Sequence, residues 1–266
     1  MMTNQEIADK NCILRAVVGS TLHGLAIEGQ DDTDLMGVCI EPPEHVIGLR
    51  RFDQHVHRTQ PEGVRSGPGD LDLVVYSLRK WCRLALSGNP TILLLLFAPD
   101  EFIVHRQDPW AEELQALAPA FMGRHLAAPY IGYMTAQMDR LLGVRGQKRV
   151  KRPELEAAHG FDVKYAMQIL RLGFQGREIL SSGRLTLPMV YAEANICREV
   201  RRGVHDLNFV LTLAGELRNE IRGLSESGPL AHFSPDEEAV EEFLVRVYQE
   251  WWNIHREAPN NDQRNP

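Results

Sequence analysis

Three acids crowd into Asp31-Asp32-Thr33-Asp34, and two more, Asp70 and Asp72, head an apolar run further along. Side chains on a strand alternate between faces, so Asp32 and Asp34 share a side if the strand has begun there. Carboxylates held side by side repel, which a solvated turn or a bound cation relieves. Asp-x-Asp alone is too common to choose between these. Order adds weight: Gly19-Ser20 closes the apolar run 12–18, and the acids then lead straight into the apolar run 34–40. Asp72 sits in the run 71–76, where an acid costs desolvation unless it finds a partner. Asp70 lies on the same face and competes with it; Asp72, deeper in the strand, is the preferred third carboxylate. Three carboxylates around two magnesium ions suit phosphoryl transfer, in which positioning and charge neutralisation do most of the work. Gly19 lets backbone approach a phosphate closely, Ser20 adds a hydroxyl donor, and a following helix N-terminus offers free N–H groups.

These residues need elements to hold them. The runs 12–18, 34–40 and 71–76 have strand length. Ser77 reads as the N-cap of a helix through Leu86, and Ser87-Gly88-Asn89-Pro90 breaks it. Residues 57–69 read as a loop, 91–97 as a helix start and 101–104 as a last short strand. Asp108-Pro109 opens a helix. Helical periodicity follows over 129–142, 162–175, 188–200, 206–221 and onward from Ser234-Pro235. The expected fold class is α+β, a small mixed sheet followed by an all-helical region. The expected domains are a catalytic domain over 1–108, a helical domain over 109–257 and a disordered tail over 258–266.

Composition narrows the function classes. The 266 residues carry a net charge of -7, which argues against non-specific coating of nucleic acid. The N-terminus has no apolar core of a secretory signal, and the longest apolar run, 92–98, is too short to span a bilayer. The four cysteines form no C-x-x-C pair, and each lies among apolar residues as a buried thiol would. A cytoplasmic protein without a membrane partner is expected.

At this point the residues resemble a known group. Gly19-Ser20, Asp32-Thr33-Asp34 and a strand-borne Asp72 are similar to the nucleotidyltransferase signature of the DNA polymerase beta superfamily. The resemblance implies that Gly19 and Ser20 contact a triphosphate, that Asp32 and Asp34 bind Mg2+ or Mn2+, and that Asp72 completes the metal site and helps activate the acceptor hydroxyl. A narrower resemblance rests on Tyr76-Ser77-Leu78-Arg79-Lys80-Trp81 through Gly88-Asn89-Pro90-Thr91, and on His159-Gly160-Phe161-Asp162-Val163-Lys164-Tyr165-Ala166 with Arg171-Leu172 after it. These stretches resemble the RNA-repair-associated nucleotidyltransferases called RlaP. That likeness implies a transferase using a nucleoside triphosphate such as ATP, with an RNA end as a candidate acceptor, and it assigns Lys164 to the nucleotide. Asp31 departs from the superfamily pattern, which often has Ser there. An extra acid would crowd the metal site or face solvent.

Lys164 and Arg171 are seven residues apart and share a helix face that can hold phosphates or stay solvated. The basic run Arg145, Lys148, Arg149, Lys151 and Arg152 can grip an RNA backbone or serve as a charged loop. His55 and His57 lack a third zinc ligand. The expected activity is metal-dependent transfer of a nucleoside monophosphate to a hydroxyl with release of pyrophosphate. The alternative is a non-catalytic nucleotide- or RNA-binding module of regulatory or antitoxin-like type.

Overall fold

A computed structural model describes residues 2–61, 64–144 and 152–257. The chain opens with α1 (Asn4–Lys10), β1 (Cys12–Val17), the single turn α2 (Gly19–Leu22), β2 (Thr33–Cys39) and α3 (Pro43–Val46). β3 (Gln54–Arg58), β4 (Leu71–Ser77) and α4 (Leu78–Leu86) follow, then β5 (Ile103–Arg106) and α5 (Trp110–Ala116). The remainder is helical: α6 (Ala127–Leu141), α7 (Pro153–His159), α8 (Val163–Ser182), α9 (Tyr191–Arg201), α10 (Leu207–Ser227) and α11 (Glu237–Glu257). The fold is α+β.

The five strands form one mixed sheet in the order β3-β4-β2-β1-β5. β2 and β4 are parallel and in register, with Asp34 opposite Asp72 and Met36 opposite Val74. The other pairs are antiparallel. Alternation along β2 and β4 sends the two sides of the sheet to different surroundings. Leu73 and Val75 join Ile7, Ala8, Cys39 and Phe52 in a small cluster beneath α1, whereas Met36 and Val38 enter the main core.

That main core is continuous from β1 and β2 through α4 and α6 to α8, α10 and α11. α8 is its axis. Gly173 and Gly176 allow close helix approach there, since a Cβ on either would lie 2.7 Å from Leu217 or Ile221 of α10. Each fully buried Leu or Ile along α8 contributes about 2 kcal/mol. The start of α8 is fixed by Asp162, whose carboxylate accepts the Lys164 and Tyr165 N–H groups at 3.0 and 3.2 Å. Its other oxygen takes Arg152 at 3.0 Å in a buried ion pair.

α11 is joined to the sheet through Glu41, just past β2. The Tyr248 hydroxyl donates to the buried Glu41 carboxylate at 2.5 Å, and the Trp252 indole donates to the Glu41 carbonyl at 2.8 Å. Burial pushes the Glu41 carboxyl above its usual range despite the Tyr248 bond.

Ser77 caps α4 as expected, accepting the Lys80 N–H at 3.2 Å. Residues 57–69 differ from the expected loop, because His57 and Arg58 end β3. This is an edge strand whose one apolar residue, Val56, is exposed, so pairing with β4 rather than local pattern makes it a strand. The segment Ile92–Phe97 is 3-10 rather than α-helical, and its first five residues are all buried. The four cysteines are buried and free. No helix among the described residues is long and apolar enough to cross a membrane. Arg145, Lys148, Arg149, Lys151 and the tail 258–266 lie outside the described residues.

Candidate active site

The site forms where β1, β2 and β4 end together. Parallel pairing puts Asp34 and Asp72 side by side on one face, and Asp32 precedes Asp34 by one alternation. Carboxylate oxygens of Asp32, Asp34 and Asp72 all lie within 4.8 Å of one another. Asp70 is not in the cluster. Its oxygens accept the Thr59 hydroxyl at 3.0 Å and the Gly67 N–H at 2.9 Å, closing the turn before β4.

Gly19 begins α2 at φ +65, and a Cβ there would overlap the Asp34 carboxylate. Only glycine tolerates both that conformation and that approach. The Val18 N–H donates to the Asp34 carbonyl at 2.9 Å, tying the turn to the acids. Burial pushes the Asp34 carboxyl up to about 6, with Asp32 and Asp72 adding like-charge repulsion. Three clustered carboxylates are a hard-oxygen donor set suited to Mg2+ or Mn2+, and a cation between them would relieve this repulsion.

Asp72 sits in different surroundings. Burial alone would raise its pKa, but Arg58, Gln60 and Ser66 hydrogen-bond the carboxylate and hold it below its usual range. None of these three was singled out in the sequence. Their segment reads as a polar loop, and only the Arg58–Asp72 register reveals them.

A cavity of about 250 Å3 opens beside Asp32 and Asp34, bounded by Gly19, Ser20, Lys164 and Arg171. Lys164 and Arg171 therefore do share a face, and it looks onto the carboxylates. Lys164 pairs with Asp31 at 3.2 Å, and Arg201 of α9 pairs with the same oxygen at 2.6 Å. Asp31 thus does not face solvent, contrary to one expectation; it stands outside the three-acid cluster, and its charge adds a small repulsion on Asp34. Its side chain is 4% exposed and also accepts the Ile27 N–H at 2.9 Å. Burial opposes its ionisation, but Arg201, Ile27 and Lys164 outweigh that and lower its pKa to about 2.

Arg171 has no carboxylate partner among the described residues. It donates to Gln175 at 2.9 Å, and Gln175 in turn meets the buried His23 at 3.1 Å. Burial and the nearby guanidinium keep His23 well below its usual pKa and hence neutral. Arg152, at the end of the basic run, is committed to Asp162 rather than presented to solvent. His55 and His57 lie on β3 and join no metal-ligating group among the described residues.

Comparison with known proteins identifies the family. The chain belongs to the RlaP family, described as the RNA repair pathway DNA polymerase beta family, whose model matches residues 2–213. That membership supports a nucleotidyl-transfer role in general and a transferase-type enzyme acting on a nucleoside triphosphate. The chain is 25% identical over 139 residues to an uncharacterised 38.9 kDa protein from the nrdC-mobD intergenic region of Enterobacteria phage T4. The match covers 51% of this chain and 40% of that protein's length. A nucleotidyltransferase-like protein from Exiguobacterium sibiricum 255-15 matches over 92% of this chain and 77% of its own. The two share 10% identity at a TM-score of 0.31, too low to bear on the fold or the chemistry.

Proposed function

We propose that this chain transfers a nucleoside monophosphate from a nucleoside triphosphate to an acceptor hydroxyl, with an RNA end as the acceptor, and releases pyrophosphate. One observation carries the reading: three carboxylates lie within 4.8 Å of one another, and two of them, Asp32 and Asp34, border a cavity lined by cations and by the Gly19-Ser20 turn. In this reading Asp32, Asp34 and Asp72 hold Mg2+ or Mn2+. When bound, such ions lower the pKa of the attacking hydroxyl and neutralise the triphosphate.

The chain's own residues do the rest. Gly19 lets the turn close against Asp34 beside the cavity, and Ser20 donates a hydroxyl to the triphosphate there. Lys164 and Arg171 face the phosphates from α8. Arg171 suits the pyrophosphate end best, because its charge has no carboxylate to satisfy it among the described residues. Asp72, on the outer side of the cluster, orients the acceptor hydroxyl. The acceptor oxygen bonds to the α-phosphorus, the bond from that phosphorus to the bridging oxygen breaks, pyrophosphate leaves with that electron pair, and the hydroxyl proton passes to solvent.

The test is pyrophosphate release with each labelled nucleoside triphosphate, with Mg2+ or Mn2+, against RNA, tRNA and protein acceptors. Label should appear on RNA, and Asp34→Ala should abolish it while the fold survives. Full transfer by Asp34→Ala would sink the assigned site. Nucleotide binding without release under any condition would establish a binding module instead.

A further inference from the structure

The three clustered carboxylates are not equally available. A carboxylate offers about four acceptor positions on its two oxygens. On Asp72, protein donors occupy that many. Arg58 Nε reaches Oδ1 at 3.0 Å and Arg58 Nη2 reaches Oδ2 at 3.2 Å. Gln60 Nε2 reaches Oδ1 at 2.8 Å, and the Ser66 hydroxyl reaches Oδ2 at 2.9 Å. Gln60 and Ser66 also bond to each other, and Ser66 accepts Arg58 Nη2 at 3.0 Å, so the donors form one connected set. Asp32 and Asp34, by contrast, accept no side-chain or backbone donor among the described residues. Asp72 cannot ligate a cation in full until some donor leaves.

Arg58 is the donor best placed to leave. It ends the edge strand β3, outside β4, and its side chain is 44% exposed. Gly19, Ser20 and the α8 cations line the cavity on the β2 side of the cluster, which the triphosphate fills in the reading above, and this leaves the β3 side, past Arg58, for the acceptor. A guanidinium fork fits a phosphate as well as it fits a carboxylate.

We propose that Arg58, with Gln60 and Ser66, holds Asp72 away from metal ligation until the phosphate beside the hydroxyl of a nucleic-acid end takes the guanidinium. The inference rests on the transferase reading above and narrows its acceptor to one carrying a phosphodiester next to the reacting hydroxyl. Completion of the metal site is thereby tied to acceptor arrival, which protects the triphosphate from water. Arg58 is a positioning residue in this scheme, acting through Asp72.

The experiment is Mn2+ titration of the full chain by electron paramagnetic resonance, with far-ultraviolet circular dichroism to verify each fold. Arg58→Ala should tighten Mn2+ by about tenfold, the equivalent of about 1.4 kcal/mol. Arg58→Lys, which keeps the charge and loses the fork, and Ser66→Ala, which is charge-neutral, should each tighten it by a smaller factor. Arg58→Ala should also release pyrophosphate and nucleoside monophosphate with water in the place of the acceptor. Wild type should release pyrophosphate only with a 3′-hydroxyl oligoribonucleotide and not with the matching nucleoside. Unchanged or weaker Mn2+ binding in the Arg58 variants would overturn the proposal, because Arg58 would then only brace the ligand. Tightening confined to Arg58→Ala would overturn it too, leaving bare charge as the cause. Equal stimulation by the nucleoside would overturn the acceptor assignment. Asp34→Ala separates the two levels of inference. If it abolishes Mn2+ binding while the Arg58 variants do nothing, only the hold on Asp72 fails; if it leaves Mn2+ binding intact, the metal site itself fails.

Discussion

Asp31 and Asp34 carry the same chemical group within four consecutive residues, and the fold puts them to opposite uses. Asp31 turns inward to Arg201 and Lys164, and its pKa falls to about 2. Asp34 turns toward Asp32 and Asp72, and its pKa climbs to about 6. One acid joins the strand end to α8 and α9 in a compensated ion network. The other is kept among like charges, an arrangement that costs stability and that a cation would reward. Surrounding elements decide this difference, and a local run of acids says little about it.

The comparison breaks most visibly at Asp34. Asp34→Asn should lower nucleotidyl transfer by a factor on the order of a thousand, since removing a charged group that stabilises the transition state costs several kcal/mol. The same change should stabilise the metal-free protein near neutral pH by about 2 kcal/mol, because a folded pKa above the usual 3.8 marks an unfavourable charge. The sign follows from proton binding. Between pH 4 and about 6 the folded state holds the Asp34 proton more tightly than the unfolded chain, so this contribution is complete below about pH 4 and is lost as pH rises through about 6. Thermal melts of wild type and variant across pH 4–8 without metal should converge at the acid end and separate above it. Parallel curves would refute the crowding of Asp34.

Asp31→Asn tests the other half and should be purely damaging. It leaves Lys164 and the nearly buried Arg201 without their shared counter-charge, at a cost of about 3 kcal/mol. Urea denaturation at pH 7 checks this. For Asp31 the folded pKa is depressed, so its stabilisation is present above about pH 4 and disappears as pH falls toward 2. A neutral outcome would mean that the network is replaceable and that the two acids differ less than their partners suggest. Gly19→Ala sharpens the comparison at smaller scale. It should cost about 1–2 kcal/mol from the positive φ and the displaced Asp34 carboxylate. It should also lower transfer at least tenfold while leaving Asp31 unaffected, as paired stability and pyrophosphate-release measurements would show.

The difference between the acids also explains what could be read from sequence. Asp32, Asp34 and Asp72 are legible because acids at the heads of apolar strands demand a reason, and the parallel strands bring them together as expected. Gly19 is legible from the turn it closes. The family-bearing stretch around Lys164 does face the site, but its ion partner, Asp31, is 133 residues away and nothing local announces the pairing. Arg201 is more distant still, at 170 residues. Arg58 escapes notice because edge strands rich in polar residues carry no alternation to detect, and Gln60 and Ser66 because they lie in the polar loop that follows it. Long helices such as α8, α10 and α11 are legible from periodicity. The 3-10 run Ile92–Phe97 is not, since a segment buried on nearly every side shows no periodic contrast.

The hold of α11 on Glu41 sets the smallest useful piece of this molecule. The family match stops at residue 213, inside α10, and a fragment cut there would retain every cluster carboxylate. It would also lose Tyr248 and Trp252, the α11 partners of Glu41, and uncover the Trp110 ring that packs on Trp251 at 4.8 Å. Homology thus marks out the chemistry but not the foldable unit, and any module borrowed from this protein for engineering must carry α11 with it.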